Sequence, residues 1–330
     1  MSTSTEKKNI KTKRDIAPLD FEKPLIALSK QINELEEKTL HNGNKKIVDD
    51  LKKQYEKVKS QIYKNLSPIE KVKIARHPQR PYALDYIQAI GSTWIELHGD
   101  RTGKDDGAIV GGLIEIDGQT VMAIGTQKGR NIKENQERNF GMPSPEGYRK
   151  ALKLFYHAEK FNFPVITFID TPGAYPGLEA EAHNQSQAIA MNLRELAGLT
   201  VPVIAVVTGE GGSGGALAVG VANRVLMLEN SVYSVISAEG CAAILWRTRD
   251  KSAEAAAALK ITAQDLLTLG VIDEIIPEVE GGAHYDPVIT SKHLLLSIKN
   301  HLKDLQKLSK NEIKRDRQEK IRKLGAFINI

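Results

Sequence analysis

The sequence has little cysteine, few aromatic residues and no long apolar runs. Its 330 residues contain one cysteine, Cys241, which excludes an intramolecular disulfide framework and a zinc site built from several thiolates. No apolar run approaches the roughly 20 residues that a membrane-spanning helix needs, and residues 1–14 lack the apolar stretch of a secretory signal peptide. With 41% hydrophobic, 26% charged and 5% aromatic residues, the composition predicts a soluble globular chain that uses no membrane.

The positive charge is concentrated at the two ends of the chain. Residues 1–14 and 310–323 each carry a net charge of +4, while the whole chain carries +5, so the part between them is slightly acidic. A nucleic-acid-binding face needs basic residues clustered on the folded surface, whereas charge runs at chain ends are usually solvated. The charge pattern therefore argues against a nucleic-acid partner.

Apolar periodicity and prolines predict the domain organisation. Apolar residues recur at three- and four-residue intervals over 25–35 and again over 47–62, which predicts two amphipathic helices joined by a turn at 41–44. Pro78 and Pro81 then interrupt helix formation. We expect a disordered basic tail (1–18), a helical hairpin (19–66), a main domain (67–290) and a C-terminal helical tail (291–330).

The main domain alternates short apolar runs with helical stretches. Strands are predicted at 108–116, 121–126, 164–169, 203–207 and 225–228, and helices at 146–161, 184–197 and 214–222. Strands that alternate with helices favour the α/β class, with helices layered on a parallel sheet.

The most informative segment is the glycine-rich run at 209–215, which allows three interpretations. As a dinucleotide fingerprint, Gly209, Gly211 and Gly214 satisfy G-x-G-x-x-G, with the acidic Glu229 about 20 residues further on. An NAD-dependent oxidoreductase is therefore one alternative. A P-loop is excluded because no Gly-Lys-Ser/Thr follows.

A serine hydrolase is the second interpretation. Gly211, Ser213 and Gly215 satisfy G-x-S-x-G, and Asp273 and His284 follow in the chain order of an α/β-hydrolase. The predicted strand ends at residue 207, however, whereas a nucleophile serine stands immediately after its strand. That placement argues against the hydrolase.

The third interpretation requires only backbone groups. Consecutive glycines before a helix allow two N–H groups to point at one spot, which is how an oxyanion hole is built. A second loop of similar character, residues 170–177, follows the strand at 164–169. Loops at the carboxyl ends of neighbouring strands meet at a ligand crevice, so we expect these two to lie together. Asp170 fits a turn or helix cap as well as a catalytic role.

Several longer motifs resemble one family, the carboxyltransferase α subunits of multi-subunit acetyl-CoA carboxylases. The resemblance extends from about residue 20 to residue 287, and its motifs lie at residues 75–81, 127–130, 138–143, 145–151, 168–177, 209–215, 233–237, 239–242 and 281–284. Thr126 and Asn184 depart from the residues usual in that family.

The resemblance implies a crotonase-like fold, a superhelix of β-β-α units, with the helical hairpin and C-terminal helices added. It implies that a carboxyl group passes from carboxybiotin on the biotin carboxyl carrier protein to acetyl-CoA, giving malonyl-CoA for fatty acid synthesis. Enolate and ureido oxygens both gain negative charge in such a reaction, and backbone oxyanion holes suit both.

The resemblance also implies the site and the partners. Gly211 and Gly212 would form the catalytic backbone oxyanion hole, and six residues would border the biotin: Gly173, Ala174, Tyr175, Gly209, Ser213 and Gly214. The chain would bind no metal or cofactor alone, since the zinc belongs to the β subunit. Expected partners are that β subunit in an α2β2 heterotetramer, the carrier protein and biotin carboxylase, in a bacterial cytoplasm or a plastid stroma.

Overall fold

The computed structural model describes residues 18–38 and 45–325. Its helices are α1 (Lys23–Lys38), α2 (Lys45–Lys64), α3 (Pro68–Ala75), α4 (Ala83–Ile90), α5 (Ile132–Glu137), α6 (Pro145–Phe161), α7 (Leu178–Ala182), α8 (Gln185–Gly198), α9 (Ser213–Leu217), α10 (Ala238–Trp246), α11 (Ser252–Leu259), α12 (Ala263–Thr268), α13 (Pro287–Leu305) and α14 (Lys310–Lys323). Its strands are β1 (Trp94–Glu96), β2 (Ile109–Ile116), β3 (Gln119–Thr126), β4 (Val165–Thr171), β5 (Val203–Gly212), β6 (Arg224–Leu228), β7 (Val232–Ser234) and β8 (Glu274–Ile276).

Helices α1 and α2 are the two amphipathic helices that the sequence predicted, and they pack against each other. Leu25, Ile32 and Val48 of this helix pair are buried. Glu22, just before α1, accepts hydrogen bonds from the hydroxyls of Tyr63 and Tyr285. The pair is therefore fastened to the main domain. The predicted turn at 41–44 and nearly all of the predicted tail at 1–18 lie outside the described residues.

One eight-stranded sheet forms the centre of the main domain. Its order is β1-β2-β3-β4-β5-β6-β8, and β7 pairs with the far end of β5. The first three strands are antiparallel neighbours, and all later pairings are parallel. The sequence predicted this mixed α/β character but missed the short strands β1, β7 and β8.

Both faces of the sheet are covered by helices. Side chains alternate along a strand, so Val203, Ala205 and Val207 pack with Leu154 of α6 and Leu196 of α8, all in one core cluster. The intervening strand residues, such as Ile204 and Val206, pack instead with α4 and α13. This arrangement explains why β4 and β5 are almost uniformly apolar. No helix in the described ranges has the length and apolarity to cross a membrane.

The C-terminal helices are part of the packed body. Leu294 and Ile298 of α13 are fully buried against the sheet. Arg317 of α14 is also fully buried, and its guanidinium donates hydrogen bonds to the carbonyls of Leu196, Leu199 and Val201 at the end of α8. The prediction that residues 310–323 form a solvated basic run is therefore wrong at Arg317, because this cation caps the carbonyl end of a helix.

Two boundaries in the glycine-rich segment differ from the sequence prediction. Strand β5 does not end at residue 207 but continues to Gly212, because residues 210–212 pair with β7. Helix α9 covers Ser213–Leu217 and not 214–222, because residues 219 and 220 form i→i−3 hydrogen bonds that tighten and end it. The glycines at 209–212 are thus strand residues.

Candidate functional site

The two glycine-containing segments meet, as the sequence predicted. A methyl group added at Gly212 would lie 2.1 Å from the carbonyl oxygen of Pro172. One added at Gly215 would lie 2.5 Å from the carbonyl carbon of Gly173 and 2.6 Å from the nitrogen of Ala174. Backbone therefore packs on backbone here, and we name this contact between residues 172–174 and 212–215 the glycine junction.

A bulge in β5 produces the junction. Ile169 of β4 is opposite Val207 of β5, whereas Thr171, only two residues later, is opposite Gly211. Between these two pairs, one residue of β4 therefore opposes three of β5, and the extra length turns the end of β5. The Asp170 carboxylate fills the bulge. Its Oδ1 accepts the N–H of Glu210 at 3.0 Å, and a methyl group on Gly209 would lie 2.3 Å from the same oxygen.

Asp170 is the end of a chain of ion pairs below the junction. Lys128 Nζ lies 2.6 Å from Asp170 Oδ1 and 3.6 Å from Glu210 Oε2, and Arg76 links Glu210 to Glu239 with distances of 2.7 and 2.6 Å. Burial lowers the pKa of Lys128, but the carboxylates of Asp170 and Glu210 outweigh burial and raise it above its usual value. Lys128 is therefore charged at neutral pH, and this network fixes the backbone at Glu210.

A second ion pair also contacts β5. Arg80 and Glu278 are fully buried, with Arg80 Nη1 2.9 Å from Glu278 Oε2. Arg80 Nε also donates to the carbonyl of Thr208 at 2.7 Å, immediately before the bulge. Glu278 further accepts the backbone N–H groups of Asn230 and Ala283. The segment with Pro78 and Pro81, which was predicted only to interrupt a helix, thus also supports β5 through Arg80.

The predicted site residues border three separate cavities. Gly211 and Gly212 line a small one of about 30 Å³ beside Arg76. Ser213 and Gly214 line a mostly apolar cavity of about 470 Å³ with Tyr233, Leu266 and the end of α14.

Tyr175 lies apart from these glycines. It borders an acidic cavity of about 240 Å³ near Asp106 and Glu179. Gly173 and Ala174 form the wall of the junction itself. The structure therefore brings Gly173, Ala174 and Gly209 together with residues 211–214. It places Tyr175 on the acidic cavity instead.

The hydrolase alternative has its serine in place but not its partners. Because β5 reaches Gly212, Ser213 follows its strand directly, with φ at +50°, so the placement argument against it was wrong. Asp273, however, accepts the N–H of Val225, and His284 stacks on His77 with ring centroids 3.9 Å apart. Neither side chain hydrogen-bonds Ser213 within the described part of the chain, so no triad forms.

The dinucleotide alternative fails on the geometry of its glycines. Gly209 accommodates the Asp170 carboxylate, and Gly211 accommodates the Tyr233 ring, which would lie 2.6 Å from an added methyl group. Both glycines lie inside a strand and not in a turn before a helix. The acidic Glu229 accepts the backbone N–H of Glu278.

Sequence reasoning singled out Asp170 but not its role in positioning the junction, and it gave no role to Lys128. Lys128 and Asp170 each stand at or just past the carboxyl end of a buried strand, next to a glycine-containing segment, and that placement was the available signal. Asp170 is not a helix cap, since its partners are Lys128 and the N–H of Glu210. The unusual Thr126 also has a function here, because its hydroxyl accepts the N–H of Asp170 at 2.6 Å. Residues 18–38 and 45–325 contain no group of three or more His, Cys, Asp or Glu side chains arranged to hold a metal ion.

Comparison with known sequences gives nearly full-length matches. The family described as acetyl co-enzyme A carboxylase carboxyltransferase-like matches residues 18–325. The chain is 53% identical over 321 residues to the acetyl-coenzyme A carboxylase carboxyl transferase subunit alpha of Synechococcus elongatus, covering 96% of this chain and 97% of that protein. It is 54% identical over 310 residues to the protein of the same name from Geobacter metallireducens, covering 94% and 98%.

Solved structures share the fold at low identity. A Pseudomonas malonate decarboxylase MdcD–MdcE hetero-dimer matches with a TM-score of 0.56 at 18% identity, over 67% of this chain and 89% of that chain. The transcarboxylase 12S with methylmalonyl-coenzyme A bound matches with a TM-score of 0.54 at 21% identity, over 68% and 42%. These likenesses show the crotonase-like fold that the sequence resemblance implied.

Proposed function

This chain belongs to the acetyl co-enzyme A carboxylase carboxyltransferase-like family, and from that membership we infer that it is the α subunit of an acetyl-CoA carboxylase carboxyltransferase. With a β subunit it transfers the carboxyl group of carboxybiotin to the methyl carbon of acetyl-CoA. The bond between the ureido nitrogen and the carboxyl carbon breaks, a new carbon–carbon bond forms, and the methyl proton passes to the ureido nitrogen. The product is malonyl-CoA, the building block of fatty acid synthesis.

The glycine junction is the observation that supports this function at the level of residues. The first-turn N–H groups of a helix have no partner inside the helix, and Gly212, at the N-cap of α9, has no side chain to supply one. Gly212 is half-buried and Ser213 is exposed, so the backbone at Gly212 is accessible from outside, whereas Gly211 directly behind it is buried. We propose that the backbone at Gly211 and Gly212 stabilises negative charge on the ureido oxygen.

The surrounding residues have supporting roles in this proposal. Gly173 and Ala174 form the facing wall of the junction, and Gly209 leaves room for Asp170. Ser213 and Gly214 lead into the apolar cavity beside α9, which suits the apolar edge of a biotin ring. Tyr175 is proposed to border the approach of the carrier protein and not the ring, because it lies on the acidic cavity.

The partners follow from the same assignment. We propose an α2β2 heterotetramer with a zinc-containing β subunit, served by the biotin carboxyl carrier protein and biotin carboxylase. This chain then provides one oxyanion hole and its partner the other. The named relatives come from bacteria that include cyanobacteria, which is consistent with a bacterial cytoplasm or a plastid stroma.

Co-expression with a candidate β subunit tests the proposal. The purified complex should form malonyl-CoA from acetyl-CoA and carboxybiotin, and the isolated chain should not. Turnover by the isolated chain, or a complex that lacks turnover, would contradict the assignment. A fluorophosphonate probe serves as the control for the hydrolase alternative, and it should leave Ser213 unlabelled.

A further inference from the structure

A cavity with an excess of positive charge lies on α6, away from the glycine junction. Its volume is about 380 Å³, and it opens between the loop after β1 and the C-terminal half of α6. None of its residues lines the cavities of the junction. We name it the cationic cavity, and its lining residues are Asp100, Arg101, Arg149, Leu152, Lys153, Tyr156, His157 and Lys160.

The single carboxylate in the cationic cavity, that of Asp100, already accepts several hydrogen bonds. Asp100 accepts hydrogen bonds from Thr102, from the N–H of Lys104 and from Arg149 Nε at 3.2 Å. Burial alone would raise the pKa of Asp100, but these hydrogen bonds lower it to about 2. Arg149 is similarly occupied, because it also contacts Glu146. Neither group is available to neutralise the remaining cations.

Three cations in the cavity have no carboxylate partner within the described ranges. Lys153 donates only to the carbonyls of His98 and Gly99, and Arg101 contacts the ring nitrogen of His157 at 3.3 Å. Lys160 lies 5.5 Å from the Phe161 ring centroid. Burial, followed by the positive charges of Lys150 and Arg101, lowers the pKa of Lys153. An anion placed here would relieve that repulsion.

The backbone holds one of these cations in an uncommon conformation. Arg101 has φ at +69°, in the left-handed region that a non-glycine residue rarely occupies. Such conformations cluster at ligand sites. Lys160 also complements the C-terminal end of α6, but Arg101 lies outside the helix, and that explanation does not apply to it.

Two apolar side chains line the same cavity as the cations. Leu152 and Tyr156 are one helical turn apart on α6, and the Tyr156 ring is 44% exposed. A hydrogen bond to Glu195 restrains its hydroxyl. A flat exposed ring beside concentrated positive charge suits a base that carries phosphates. The cavity is larger than a single phosphate needs, and its volume falls in the range of small-molecule sites.

We propose that the cationic cavity binds a phosphorylated nucleotide, with its phosphates among the three unpaired cations and its base on the Tyr156 ring. The assignment is independent of carboxyl transfer, since it uses none of the residues of the junction. It gives the chain a small-molecule site that is separate from the reaction centre.

Calorimetric titration of the full chain tests the site with three probes: ADP, inorganic pyrophosphate and adenosine. ADP should bind saturably and more tightly than either pyrophosphate or adenosine. Binding should weaken as salt is raised. Absence of saturable ADP binding would overturn the proposal, and ADP binding no tighter than pyrophosphate would overturn the nucleotide assignment.

Matched variants locate the site. Arg101→Gln with Lys160→Gln should weaken ADP binding at least about tenfold, which corresponds to roughly 1.4 kcal/mol. The control, Lys133→Gln with Lys314→Gln, removes the same charge at exposed positions outside the cavity and should leave binding unchanged. Tyr156→Leu should weaken binding of ADP but not of pyrophosphate. Equal losses in the two double variants would show that only net charge matters and would refute the site.

Discussion

Adding one methyl group at Gly212 should slow carboxyl transfer about 10²-fold without unfolding the chain. The methyl carbon of Gly212→Ala would lie 2.1 Å from the Pro172 carbonyl oxygen, whereas such atoms approach no closer than about 3 Å. The two segments must therefore separate by about 1 Å. A displacement of that size at a reacting centre costs about 10²-fold in rate, while overpacking costs about 1–3 kcal/mol of stability. We expect kcat to fall about 10²-fold, with β-subunit association retained.

Gly198→Ala is the control for this variant. Gly198 is the last residue of α8, and an added methyl group there meets no atom within 4 Å. Turnover by both variants should be measured in the assembled complex, alongside thermal unfolding and the KM for carboxybiotin. An interaction made mainly in the transition state lowers kcat and kcat/KM together. Gly212→Ala with normal turnover, or with a loss only in KM, would refute the role of the junction in the chemical step.

Three further predictions concern buried groups. Glu278→Gln should lower the free energy of unfolding by about 3–5 kcal/mol, because Arg80 is left with a buried unpaired charge; urea titration measures this, and a loss below about 1 kcal/mol would contradict it. Burial, with the nearby His77 and Arg80, lowers the pKa of His284 to about 3. Between pH 6.5 and 3 the His284 imidazole is therefore protonated in the unfolded chain but not in the folded one. As the pH is lowered through that window, the free energy of unfolding should fall by up to roughly 1.4 kcal/mol per pH unit. A His284→Gln chain that loses stability equally steeply would exclude His284 as the cause. Tyr148→Phe should leave stability unchanged or raise it, because the buried Tyr148 hydroxyl has no hydrogen-bond partner among residues 18–38 and 45–325, and a clear drop in the unfolding midpoint would show that the hydroxyl is satisfied.

Elements with strong periodicity were predictable from the sequence. The apolar stripes of α1 and α2 and the apolar run of β4 place those elements to within a few residues, and the apolar run of β5 places the start of that strand. Strand β7 was not predictable, because its three residues carry no periodic signal and its strand partner is the bulged end of β5. The length of β5 depends on that tertiary contact, so local pattern alone placed its end five residues early.

The sequence predicted that the two glycine-containing segments meet. It did not predict the hydrogen bonds and ion pairs that hold them in place. The carboxyl ends of β4 and β5 had to be neighbours, which follows from parallel pairing. The capture of the Glu210 N–H by Asp170, and the link from Lys128 to Asp170, depend on the bulge register. The glycines themselves gave an ambiguous signal, because Tyr233 and Pro172 require glycine at positions 211 and 212 for packing reasons as well.

The buried Arg317 makes completion of the fold depend on a helix that is synthesised after every strand of the sheet. Its guanidinium reaches carbonyls that lie 116 to 121 residues earlier, and until it emerges from the ribosome those carbonyls end α8 without a cap. A product truncated before residue 317 would retain most of the sheet but expose the apolar surface that α14 covers. Proteases and chaperones recognise such surface. Packing of α14 therefore distinguishes chains that have completed this fold from chains truncated before residue 317.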